Sequence, residues 1–152
     1  MPKITTFLWF DHQAEEAANH YISIFKSGKI LSVHRVEGKV LALTFELEGQ
    51  QFMALNGGPL FKFTEAISLF VDCDEQQEVD ELWDKLSAGG EPGRCGWLKD
   101  RYGLSWQIIP KALMKLMGDA DPAKSQAVLQ AMMKMNKIVI AELQKAYDGK
   151  AA

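Results

Sequence analysis

The chain has 152 residues, 47% hydrophobic and 24% charged, with a formal net charge of −3. That length suits one domain spanning 1–152, and the mild acidity disfavours nucleic acid or an anionic membrane surface as a partner. No apolar run reaches the ~18 residues that cross a bilayer, and the N-terminal stretch lacks the long apolar core and cleavage site of a signal peptide, so a cytoplasmic location is the expectation.

Residues 4–10 are apolar and aromatic, which predicts a strand. Asp11 is placed to cap a helix, Glu15 and Glu16 suit its first turns, and Ala14, Ala17, Ala18, Tyr21 and Phe25 fall at helical spacing. Gly28 is the expected stop. Strands are then predicted over 29–36, 40–48 and 51–56, joined by turns at Glu37-Gly38-Lys39 and Gly49-Gln50, and Gly57-Gly58-Pro59 breaks the chain. The pattern then begins again. Residues 65–89 repeat 4–28 at an offset of 61, pairing Asp11 with Asp72, Tyr21 with Leu82, Phe25 with Leu86 and Gly28 with Gly89. A strand over 66–72 leads to a helix with an Asp74/Gln77 capping box and the apolar stripe Val79, Leu82, Trp83 and Leu86. Strands over 95–99 and 104–109 flank a turn at Asp100–Gly103. There is less room for an early meander strand than in the first copy. The repeat divides the chain into a first βαβββ unit (1–60), a second (61–110) and a helical extension (111–152). In the extension, helices are predicted over Lys111–Met117, from the Asp121-Pro122 start signal to about Asn136, and over Val139–Tyr147.

Several chemistries find no motif. There is no nucleophile elbow, no Walker loop and no glycine-rich dinucleotide turn. His12 and His20 stand two helical turns apart and His34 stands alone, so no histidine pair has metal-binding spacing. Cys73 and Cys95 form no C-x-x-C and are expected as buried, reduced thiols at strand ends. Aromatic residues are the denser signal. Trp9, Phe10, Phe61, Phe63, Phe70, Trp97 and Trp106 lie in or beside strands, and alternation turns some of them away from the helices. An aromatic cavity with few polar groups suits a small, partly apolar ligand, and in a fold of two repeated units the pocket is expected where they meet.

Phe7-Leu8-Trp9-Phe10-Asp11, Glu15 to Ala18 with Tyr21 and Phe25, Ala54 to Pro59, Phe61 to Ser68, Gly96 to Asp100 and Gly103 to Pro110 together resemble the vicinal oxygen chelate superfamily, which includes glyoxalases, bleomycin-resistance proteins and extradiol dioxygenases. The PhnB-like branch, often labelled a 3-demethylubiquinone-9 3-methyltransferase domain, is the nearest likeness, and it covers nearly the whole chain, tail included. The resemblance implies an α+β fold of two tandem βαβββ units forming a curved mixed sheet, with C-terminal helices added. It also implies a metal held by residues from four strands. Those positions carry over to Thr5 or Thr6, Asn56, Ala66 and Gln107. Gln107 is the one plausible ligand, with Glu65 as a neighbour, and a tight divalent site needs three or more. No cofactor is therefore expected.

The expected ligand pocket is lined by Thr5, Phe7, Trp9, Asn56, Ala66, Ser68, Phe70, Trp97, Ser105 and Gln107, with Trp106 and Ile108 turned to the helix side. Two functions stand against each other. One is a dimeric small-molecule-binding protein with a degenerate metal site. The other is a metal-dependent lyase, isomerase or transferase of the glyoxalase type, using Gln107, Glu65 and a histidine of a second subunit. The methyltransferase label is disfavoured, because no glycine-rich S-adenosylmethionine loop is present. A homodimer is expected, its interface partly buried by the apolar tail around Leu129, Met132, Met133, Met135, Ile138, Val139, Ile140 and Leu143. The alternative is that the tail covers its own domain.

Overall fold

Two hairpin turns built on positive backbone angles shape the first half of the chain. In the computed structural model, which describes residues 2–149, the chain divides into two units, Met1–Phe63 and Thr64–Ala152. The first contains β1 (Thr6–Phe10), α1 (Ala14–Ile24), β2 (Gly28–Val36), β3 (Lys39–Leu47) and β4 (Gln50–Asn56), in the sheet order β1-β4-β3-β2. β1 runs parallel to β4 and the other pairs are antiparallel. Glu37-Gly38 and Glu48-Gly49 all have positive φ, the signature of two-residue turns whose twist matches the strands. The second turn therefore sits one residue earlier than Gly49-Gln50.

The alanines of α1 explain its close seat on the sheet. Ala14, Ala17, Ala18 and Tyr21 are buried, and Tyr21 lies over Phe45, which stacks on Phe52 at 5.3 Å. Asp11 is not the cap. The helix begins later, and the side chain of Asn56, at the end of β4, accepts a hydrogen bond from the Ala14 N–H at 2.8 Å. Phe25 lies just beyond the helix and is half-buried.

The second unit contains β5 (Ser68–Cys73), α2 (Gln76–Ser87), β6 (Glu91–Pro92), β7 (Trp97–Lys99) and β8 (Ser105–Pro110), in the order β5-β8-β7-β6. The α+β class and the two βαβββ units are those expected. β6 is only two residues long, in keeping with the shorter spacing of the second copy. Val79, Leu82, Trp83 and Leu86 form the buried stripe of α2. The capping box differs by one residue: the Asp74 N–H donates to Glu78 Oε1 at 2.8 Å, because α2 starts at Gln76.

The tail forms α3 (Lys111–Met117), α4 (Pro122–Met132) and α5 (Ile140–Gly149). Asp121 caps α4 as expected, accepting from the Ala123 N–H at 2.9 Å. α4 stops short of Asn136: the Lys134 and Met135 N–H groups bond to carbonyls three residues back, those of Ala131 and Met132, rather than four, and two later carbonyls are used elsewhere. Those of Met135 and Asn136 accept from the Cys95 and Gly96 N–H groups, both at 2.8 Å. Gln76 clamps the start of α5, donating to the Ile138 carbonyl and accepting from the Ile140 N–H.

Leu113, Val128, Ile138 and Leu143 bury themselves against Ile109 of β8. Each such side chain contributes about 1.5–3 kcal/mol, so these residues are core of their own unit rather than surplus apolar surface. Met114 and Met133 remain exposed. No helix among the described residues is long and apolar enough to cross a membrane.

Candidate functional site

Strand register sorts the expected site residues by face. In the second unit, Ser68, Ser105 and Lys99 form one row across β5, β8 and β7, and Phe70, Gln107 and Trp97 form the next. Bridged partners, and residues two apart on a strand, share a face. Five expected residues (Ser68, Phe70, Trp97, Ser105 and Gln107) thus come together on one open face. Trp106 and Ile108 lie on the other face and are buried. Trp106 Nε1 donates to Asp100 Oδ2 at 2.9 Å, while Asp100 Oδ1 accepts from the Tyr102 and Leu104 N–H groups.

The open face has a polar centre between aromatic flanks. Gln107 Nε2 donates to Ser68 Oγ at 2.9 Å. Ser105 is 1% exposed, and its hydroxyl has no hydrogen-bond partner among the described residues. Phe70 is 51% exposed and Trp97 half-buried. Lys99 Nζ pairs with Glu65 Oε1 at 2.8 Å. That hydrogen bond, with the attraction of the two charges, raises the Lys99 pKa and lowers that of Glu65.

Beside this face lies a cleft of about 420 Å³, lined by Glu65, Trp97, Leu98 and Lys99 and by the Glu91–Arg94 arm of the β6–β7 hairpin. Sequence reasoning missed Lys99 and Arg94. Lys99 carried a usable signal, since it lies two residues from Trp97 on the same strand. Arg94 carried none beyond the Pro92-Gly93 turn.

In the first unit, Phe7 and Trp9 share the face of β1 opposite Leu8 and Phe10, and Thr5 has their parity just before the strand. Phe7 stands in register with exposed Met53. Trp9 is held in place: its Nε1 donates to the Gly58 carbonyl at 2.9 Å, and its ring meets Phe61 edge-on at 4.9 Å. The Gly57-Gly58 pair is the seat of this indole.

Asn56 and Ala66 do not join the other expected residues of their own units. Asn56 is in register with Phe10, on the face opposite Phe7 and Trp9. Both ends of its amide are occupied, one by the Ala14 N–H and the other by the Val40 carbonyl at 3.1 Å. Its part is to start α1. Ala66 lies exposed in the turn before β5, which begins at Ser68 rather than residue 66.

The residues at the metal-ligand positions do not fit a metal. Asn56 is spent on backbone groups, Ala66 has no donor atom and Glu65 already carries an ammonium, which leaves the Oε1 of Gln107, whose Nε2 bonds Ser68, as a lone donor. Among the described residues, no three His, Cys, Asp or Glu side chains cluster to hold an ion. Cys73 is no nucleophile at neutral pH, because burial, followed by the charge of Glu78, pushes its thiol up to about 12.

The family model described as 3-demethylubiquinone-9 3-methyltransferase matches residues 2–109. The expected likeness extends through the tail, but the model stops before α3. A Bacillus cereus PhnB protein carrying the same methyltransferase description is 39% identical, with 72% of this chain and 99% of that one covered and a TM-score of 0.66. A Pseudomonas aeruginosa protein is 18% identical over 72% of this chain and 98% of its own, with a TM-score of 0.59. An Arabidopsis thaliana gene product is 16% identical over 70% and 96%, with a TM-score of 0.50. The last two are likenesses of fold alone. No curated protein matches the chain.

Proposed function

From the premise that the chain belongs to the PhnB-like family, whose model carries the 3-demethylubiquinone-9 3-methyltransferase description, we propose that it binds a small, partly apolar molecule without a resident metal ion. The observation that carries this reading is the Ser105 hydroxyl, buried and unpartnered in the row beside Gln107, which bonds Ser68 and lies between Phe70 and Trp97. A buried hydroxyl left unbonded costs about 1–3 kcal/mol. A ligand with one polar group would satisfy it, while its apolar body covers the two rings.

The methyltransferase description finds no support in the residues. No glycine-rich loop follows a strand and opens a helix: Gly57-Gly58, after β4, seats the Trp9 indole, and Gly89-Gly90 follows a helix, α2.

The protein acts as a homodimer in this reading. Leu31, Val33 and Val36 are exposed on β2, an edge strand of its sheet, and a long apolar edge favours pairing with a second copy. The interface is assigned to this edge rather than to the tail, most of whose apolar residues pack within their own unit, Met114 and Met133 excepted.

The test is native mass spectrometry of the purified protein, with small molecules extracted after denaturation. A dimer carrying a sub-stoichiometric or stoichiometric organic molecule supports the reading. Stoichiometric zinc, nickel or manganese, removed by Gln107→Ala, would replace it with the metal-dependent lyase, isomerase or transferase reading.

A further inference from the structure

The cleft beside the open face has a charge pattern that selects among ligands. Four charged side chains line it: Glu65, Glu91, Arg94 and Lys99. Lys99 is engaged by Glu65 at 2.8 Å, and Glu91 adds to the negative charge it feels. Arg94 has no side-chain partner among the described residues. It is the uncommitted cation of the cleft, and Trp97 is its uncommitted aromatic wall.

Arg94 stands on a fixed backbone. The hairpin that carries it is closed by the Gly93 N–H to the Trp97 carbonyl at 2.8 Å and the Trp97 N–H to the Arg94 carbonyl at 3.0 Å. The next two residues are tied to the tail through the Met135 and Asn136 carbonyls. A guanidinium on an ordered loop loses less freedom when it engages a ligand, and its planar fork matches a carboxylate with two parallel hydrogen bonds.

We infer that this cleft takes a small planar aryl carboxylate, with its ring against Trp97 and its carboxylate on Arg94. The inference rests on the proposed small-molecule function and names the class of ligand. A volume of about 420 Å³ holds one or two fused rings. Glu65 then limits affinity, because it neutralises the second cation within reach. Such exposed pairs are weak, so removing Glu65 frees Lys99 for the ligand without loss of the fold.

The probe is 2-naphthoate, with uncharged 2-naphthamide as its control, titrated into the full-length protein by calorimetry at low salt. The expected result is binding of naphthoate about 3- to 10-fold tighter than naphthamide, what an exposed bidentate pair with Arg94 supplies. Arg94→Ala abolishes that preference while circular dichroism stays unchanged. Glu65→Gln strengthens naphthoate binding by up to about 5-fold and leaves naphthamide where it was. Equal binding of the two probes, with Trp97→Ala weakening both, overturns the carboxylate inference and leaves the small-molecule reading standing. A naphthoate preference that survives Arg94→Ala also overturns it. Binding of neither probe by the wild type or by Glu65→Gln overturns it too. In that case the extraction experiment decides separately whether the small-molecule reading stands.

Discussion

Replacing Gly57 by alanine should destabilise the protein by about 2–6 kcal/mol, although the substitution adds a single methyl group. A Cβ at Gly57 would fall 2.5 Å from Cζ2 and 2.7 Å from Cδ2 of Trp9, well inside contact distance. The rigid indole must tilt away, because Gly57 is itself fixed by the bond from its N–H to the Phe10 carbonyl at 2.8 Å. Overpacking of this kind costs about 1–3 kcal/mol. Tilting also breaks the bond to the Gly58 carbonyl, worth about 0.5–1.5 kcal/mol, and the edge contact with Phe61, worth about the same. For a chain of this length a loss of 3 kcal/mol lowers the melting temperature by about 6–12 °C. The assay is thermal unfolding of four proteins: wild type, Gly57→Ala, Trp9→Leu and the double variant. Leucine lacks the fused ring, so Gly57→Ala should become nearly neutral in the Trp9→Leu background. A Gly57→Ala effect below about 0.5 kcal/mol refutes the reasoning, and so does an equal effect in both backgrounds.

Asp100→Ala should cost about 3–5 kcal/mol, because it strips partners from two backbone N–H groups and the buried Trp106 indole; urea unfolding measures it. Gln76→Ala removes both bonds that clamp the start of α5, and hydrogen exchange in α5 should accelerate about 10- to 100-fold while α2 stays protected. Added zinc, nickel or manganese should leave the melting temperature within about 1 °C, since nothing at the expected positions offers a ligand set. The Cys73 thiol ionises near ~8.5 when unfolded and near about 12 when folded. Folding therefore disfavours the thiolate, and stability should fall as pH rises through that window. Cys73→Ala should flatten the fall in a pH series of urea unfolding curves.

The repeat made the architecture readable. Strand and helix periods are local properties, so the buried stripe of α2 follows from spacing alone, and the face of Trp106 follows by alternation once the resemblance turns Gln107 inward. What spacing could not show is who answers a backbone group across the fold. Asp11 is a suitable cap by residue type, yet Asn56 arrives from 42 positions away to bond the helix start. That one contact also takes Asn56 off the site, because capping α1 requires the face opposite Phe7. How much of the tail packs on its own unit was hidden for a related reason. Its methionines and isoleucines look like a surplus until β8 is seen to offer Ile109 as their anchor. The Arg94 cleft was invisible because a two-residue strand leaves no period to read.

The bonds from Cys95 and Gly96 to the tail have a consequence for synthesis. The first unit has every strand and helix in hand once residue 63 has left the ribosome. The second does not: its hairpin waits for the carbonyls of Met135 and Asn136, and β8 waits for Leu143 to cover Ile109. At about 5–20 residues per second, several seconds pass with the first unit able to fold and the second still lacking its last partners. A chaperone acting on the nascent chain would find its exposed apolar stretch there, between β8 and the incoming α5.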